Sequence, residues 1–227
     1  MIAFDSASST GFYLLHSTPK WPYTPDDDTP FSNDDYAQHY FCTSIDLESL
    51  NVLGDVLFVT RPQIYYDSFD HNWAQTKAPS LYSVLKLEYD KNAASKSQTY
   101  YTAGNQKMVF YYKNAKADID LWSWVAGQLK KDMLVETWLR DSKAKPYCEK
   151  YSVEMAKTVQ FNSYKWSETQ DHSKWGVDTS GQWACIGDIN FMNSQKNRGG
   201  AALCIQDPYL ANLLLSSIVE MNPDLSC

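Results

Sequence analysis

The stretch "DHSKWGVDTSGQWACIGDIN" (171–190) sets His172 and Lys174 two residues apart, follows them with Asp178, and ends a short apolar run in Gly187-Asp188-Ile189-Asn190. Side chains alternate along an extended backbone, so His172 and Lys174 are expected on one face. An imidazole beside an ammonium suits a phosphodiester: the lysine holds a non-bridging oxygen, and the histidine attacks phosphorus or transfers a proton. Asp178 is a candidate to hold an imidazole tautomer, and Asn190 a candidate donor to a phosphate oxygen. No metal is required by this chemistry, and no cofactor is expected. The plain alternative is a polar turn between two strands of a disulfide-stapled domain, and the triplet H-x-K alone does not decide between the two.

Outward from this stretch, apolar runs of strand length recur. "GFYLLHS" (11–17), "YFCTSI" (40–45), "DVLFVT" (55–60), "SVLKLEYD" (83–90), "KMVFYYK" (107–113) and "MLVETWLR" (133–140) all read as strands. "ADIDLWSWVAGQLKK" (117–131) carries Ile119, Trp122, Ala126 and Leu129 at helical spacing between an acidic start and a basic end. "DPYLANLLLSSIVEMN" (207–222) opens on Asp-Pro, a cap and first turn, and reads as an amphipathic helix. Strands and helices interleave, so the expected class is α/β or mixed α+β. The Pro- and Asp-rich "TPKWPYTPDDDTPFSNDD" (18–35) is expected as a surface loop whose acidic run is solvated and holds no metal. No linker or repeat divides the chain, so one domain is expected over 1–227.

The 227 residues, 44% of them hydrophobic, are enough to fill a core. No window approaches the length of an uninterrupted membrane span, and no signal peptide is visible at "MIAFDSASST". Cysteines at 42, 148, 185, 204 and 227 form no C-x-x-C pair, which favours disulfides in an oxidising, secreted or lysosomal setting over a zinc site. Their odd number leaves one thiol free, bonded to another chain, or without a partner lost to a missing segment. A formal charge of −7 disfavours nucleic-acid binding at neutral pH, and an acidic compartment relieves that by charging the four histidines.

H-x-K followed by an aspartate and G-x-x-N is close to the pattern of phospholipase D-like enzymes, with the aspartate one residue early. "DHSKW" (171–175), "WACIGDIN" (183–190), "SQKNRGGAALC" (194–204) and "GFYLLHSTPKWP" (11–22) together resemble the deoxyribonuclease II family over nearly the whole chain. That resemblance implies a phospholipase D-like fold of two similar halves, each lending an H-x-K to a shared site, with 1–115 here the remainder of the first half and 116–227 the second half that carries the H-x-K. It implies metal-independent cutting of DNA at acid pH to leave 3′-phosphate ends. His172 and Lys174 match the second H-x-K, and His16 the histidine of the "HS-x-P" strand, as a site contributor or a structural polar residue. Asn190 matches the asparagine and Asp188 the aspartate of "GD-x-N", and Arg198 matches the arginine of an "RGGG" turn that here ends in Ala201. Phe191 stands where arginine is common, which removes a positive charge near the phosphate path. The resemblance also pairs Cys185 with Cys204 and Cys148 with Cys227, leaving Cys42 without its partner.

No second H-x-K occurs, since His16, His39 and His71 are followed by Ser-Thr, Tyr-Phe and Asn-Trp. The expectation is an N-terminally incomplete chain, with DNA as substrate and a second chain as one means of completing the site. A rival expectation is a catalytically impaired, secreted family member acting as a DNA-binding or host-interaction protein. A further rival is a binding module whose 16 tyrosines and 8 tryptophans stack on sugars or a protein.

Overall fold

The computed structural model describes residues 1–19, 35–139 and 145–227. The acidic run at 26–28 and Arg140 therefore lie outside the described residues. The strands are β1 (Ile2–Asp5), β2 (Thr10–His16), β3 (Tyr40–Asp46), β4 (Ser95–Tyr101), β5 (Lys107–Lys113), β6 (Met133–Thr137), β7 (Val153–Phe161), β8 (Tyr164–Ser167), β9 (Lys174–Asp178), β10 (Trp183–Gly187), β11 (Gly200–Gln206) and β12 (Ile218–Met221). The helices are α1 (Leu47–Thr60), α2 (His71–Lys77), α3 (Pro79–Leu85), α4 (Leu121–Leu129) and α5 (Pro208–Ser217).

Strands β1, β2 and β3 form a small antiparallel sheet. The large sheet runs β12-β7-β6-β9-β10-β11-β5-β4, with β8 added against β7. Among the described strands only β6 and β7 pair in parallel, so the sheet is mixed and the class is α+β, as expected. Alternation along the central strands divides the core between the two faces. Phe110, Tyr112, Ile186, Leu203 and Ile205 pack on one side with residues of α1 and α5. Val109, Tyr111, Cys185, Ala202 and Cys204 pack on the other around Trp122 and Val125 of α4.

Three segments depart from the sequence reading. "DVLFVT" is the end of α1 and not a strand: Asp46 caps the helix by accepting from Ser49 N–H, and Leu50, Leu53 and Val56 bury one face at helical spacing. The β-branched run at its end is overruled by that longer period. "SVLKLEYD" is the end of α3, opened by Pro79 at its first turn, and the chain leaves it through Leu87 at φ 60°. The C-terminal helix stops at Ser217, after which Ile218–Met221 pairs with β7. The helix expected over 117–131 is present as α4, capped by Asp120.

Antiparallel pairing decides where the functional motifs meet. In register, Lys174 lies opposite Thr137, Gly187 opposite Ala202, and Gly200 opposite Lys113. The start of β9, the ends of β5, β6 and β10, and the start of β11 therefore share one end of the large sheet.

Candidate active site

His172 sits just before β9 and is 8% exposed. Its ring stacks on Tyr36 at 4.3 Å and 7°, with Trp138 at 4.4 Å on a tilted plane. The clamp is continued by the backbone: His172 N–H donates to Ala37 O at 2.9 Å, and Ala37 N–H to Gln170 O at 2.9 Å. The Gln38 amide bonds His172 Nδ1 at 3.1 Å, while its other end is held by Ser17 Oγ at 2.5 Å. Whichever amide atom faces the ring sets the tautomer: an N–H there makes Nδ1 an acceptor, an oxygen makes it a donor. Among the described residues Gln38 bonds the imidazole, and Asp178 does not.

Lys174 starts β9, and its ammonium donates to His172 O at 2.6 Å. Its backbone N–H donates to His39 Nδ1 at 3.2 Å, and His39 is tied back to Ser17 through its own N–H at 3.0 Å. Burial, with the charges of Lys174 and His16 adding, pulls His39 down to about 3, so it stays a neutral acceptor under mildly acidic conditions. Burial likewise lowers Lys174 to about 8, against the carboxylates of Asp188 and Asp171. Strip 36–39 therefore grips both members of the H-x-K. His16, at the end of β2, stacks on Tyr40 at 6.0 Å, and burial lowers its pKa. Its charge acts on His39.

Asn190 hangs from the end of β10 between two anchors. Trp122 Nε1 donates to Ile189 O at 3.1 Å, and Phe191 N–H donates to Thr137 Oγ1 at 3.0 Å. Its Oδ1 is buried with no hydrogen-bond partner among the described residues. Phe191 itself is 6% exposed and packs in the core around Trp122, so the side chain that replaces arginine points inward. Asp188 Oδ1 accepts from Ala201 N–H at 2.8 Å, joining the end of β10 to the start of β11. Water reaches Asp188 from the adjoining cleft, yet the protein crowded around it raises its carboxyl to about 6, against Ala201 N–H, Lys174 and Arg198. Arg198 is exposed on that turn, with Nη1 3.3 Å from Gln195 Oε1.

Asp178 is placed elsewhere. It ends β9, roughly 13 Å of extended chain beyond Lys174. Its carboxylate accepts from Gln182 N–H and Trp183 N–H, both at 2.6 Å, and from Ser180 Oγ, so it shapes the β9–β10 turn. Cys185–Cys204 and Cys148–Cys227 are disulfides, and Cys42 is free and exposed.

The family model described as Deoxyribonuclease II matches residues 1–224. The chain belongs to the deoxyribonuclease II family. It is 36% identical over 238 residues to a deoxyribonuclease-2 homologue of Burkholderia pseudomallei (strain 1710b), covering 98% of this chain and 65% of that protein. It is 34% identical over 215 residues to Deoxyribonuclease-2 of Caenorhabditis elegans, covering 92% of this chain and 56% of that one. Against Deoxyribonuclease-2-alpha of Mus musculus the identity is 27% over 223 residues, covering 94% and 63%. This deoxyribonuclease II chain thus spans less than two thirds of the length of these relatives. Sequence reasoning missed Tyr36, Gln38 and His39; "YAQH" (36–39) carries no catalytic motif, and only its pairing with 170–174 gives it a role.

Proposed function

We propose that this chain provides the histidine/lysine half-site of an acid endodeoxyribonuclease that hydrolyses DNA phosphodiesters without a metal and leaves 3′-phosphate ends. The observation that carries the reading is the clamp: His172 is stacked on Tyr36, oriented by Gln38 and coupled through its carbonyl to Lys174. An imidazole fixed at Nδ1 is prepared to act through Nε2. In one step an imidazole nitrogen bonds phosphorus, and the 5′ oxygen leaves with a proton from a second, protonated imidazole. Water then attacks phosphorus and gives a proton back to the second imidazole, the N–P bond breaks to release the first imidazole, and the 3′ phosphate departs. His172 is one of the two imidazoles, and His16 contributes to the site from β2. Lys174 and Asn190 stabilise charge on the phosphorane oxygens, and Arg198 holds a DNA phosphate.

The charges account for an acid optimum. With Asp188 titrating at about 6 beside Lys174 and Arg198, acidification removes a negative charge from the path of an anionic substrate. Lys174, at about 8, is already an ammonium there. We read the chain as one domain with a phospholipase D-like arrangement, in which 1–115 is the remainder of the first half and 116–227 the second half. A second chain carrying the partner H-x-K completes the site. The two disulfides fit a secreted or lysosomal setting, and among the described residues no helix is long and apolar enough to cross a membrane.

Plasmid nicking at about pH 5 with excess chelator tests the reading. Nicking is expected for the parent chain assayed together with the chain that carries the partner H-x-K, and its loss for His172→Ala in the same mixture, with the unfolding midpoint preserved. Full activity of the alanine variant refutes the assignment; absence of nicking in the completed parent assembly with DNA binding intact favours the impaired, DNA-binding relative. A second substitution, Gln38→Met, keeps the length of the side chain but removes the bond to Nδ1. It should lower kcat about 10- to 100-fold with KM little changed, and an unchanged kcat removes Gln38 from the mechanism.

A further inference from the structure

Lys113 ends β5 with its side chain fully buried, an unusual place for an ammonium. Its Nζ donates to three backbone carbonyls of a single loop: Gln195 O at 3.1 Å, Lys196 O at 2.9 Å and Arg198 O at 2.5 Å. Three donors meet three acceptors, so the charge is satisfied by the loop itself. Burial pulls the lysine pKa down, while the carboxylates of Asp120, Asp188 and Asp118 push it up. From the other side, Gly199 lies so close to α1 that a Cβ there would come 1.8 Å from Thr60 O. The turn bearing Arg198 is therefore fixed at both faces, and Ala201 N–H ties its exit to Asp188. An exposed arginine on an unpinned loop would lose much of its binding to the entropy of ordering.

From this geometry we infer that Lys113 is a positioning residue for DNA binding: its caged ammonium holds loop 195–198 so that Arg198 meets a phosphate beside Lys174 and Asp188. The inference rests on the reading of Arg198 as a phosphate contact, and Lys113 itself touches no DNA.

The test is a double-substitution cycle in a His172→Ala background, measuring affinity for a short fluorescein-labelled DNA duplex across a salt series at about pH 5. Each phosphate contact contributes about 0.9 to the slope of log affinity against log salt. Arg198→Ala should reduce the slope by about that amount. Lys113→Met should reduce it by a similar amount, and the double variant no further, because both remove the same contact. A purely structural lysine would lower the unfolding midpoint and leave the slope untouched. A parental slope in Lys113→Met, or losses that add in the double variant, overturns the inference. An unchanged slope in Arg198→Ala overturns it together with the phosphate reading, whereas a loss in Arg198→Ala alone overturns only the role of Lys113. Where Lys113→Met does not fold, Lys113→Gln, which keeps two N–H donors, carries the same expectation of a reduced and non-additive slope.

Discussion

Replacing Glu136 by glutamine should make the protein more stable as the pH rises. Glu136 lies in β6 with no exposed surface, and neither carboxyl oxygen has a hydrogen-bond partner among the described residues. Burial raises its pKa well above the ordinary value, with the negative charges of Asp171 and Glu168 adding. The neutral acid is the form that fits there, because an unpaired carboxylate in such a place is far costlier to bury. In the unfolded chain the same group ionises near 4.3. Its contribution is therefore fully present below about pH 4.3 and is lost as the pH climbs toward the folded value. Between those limits the loss is about 1.4 kcal/mol per pH unit. From pH 5 to 8 the wild type should thus fall behind Glu136→Gln by at most about 4 kcal/mol, reached when the folded state keeps its proton throughout. The glutamine has no proton to lose, and near pH 4 the two proteins should agree within about 1 kcal/mol. Urea unfolding followed by tryptophan fluorescence at each pH gives the difference directly, and the contributions of Asp120 and Asp188 cancel between the two proteins. Parallel stability curves from pH 5 to 8 would show that Glu136 does not carry a proton in the fold, and the reasoning would fail.

Two further substitutions probe the supports of the site. Trp122→Phe leaves Ile189 O without its donor and opens space beneath Gly176 and Gly187, so a loss of about 2–4 kcal/mol is expected, with nicking reduced as Asn190 loosens; calorimetry showing less than about 1 kcal/mol would deny Trp122 that role. Asp178→Ala strips acceptors from Gln182 and Trp183 N–H and should cost about 2–4 kcal/mol while kcat, measured well below the unfolding transition, stays within about threefold. A collapse of kcat there would restore Asp178 to the chemistry.

What the sequence made legible follows the range over which each signal acts. Cap and period lie within a few residues, so α4 is readable from Asp120 onward. The end of α1 is misread because "DVLFVT" is rich in β-branched residues, and the helical period shows only when the window starts at the Asp46 cap. His172, Lys174, Asn190 and Arg198 are named by motif, and strand pairing then gathers them at one end of the sheet. Asp178 belongs to the same spacing pattern, but a five-residue strand carries it to the opposite end. Gln38 and His39 bond residues 134 and 135 positions away, and no local pattern encodes such a contact. Glu136 and Lys113 hide for another reason: each stands at the end of an apolar run that reads as an ordinary strand, and only its burial gives it meaning.

The clamp across that separation also orders events in the life of the chain. Tyr36, Gln38 and His39 leave the ribosome long before His172 and Lys174, so the nascent chain carries the holder without the group to be held. Closing so large a loop is among the slower steps of folding. Once closed, the strip is fastened by a few hydrogen bonds and one stacked ring, so it should open more readily than the large sheet unfolds. The clamp on His172 is then the last feature this fold assembles and the first it gives up.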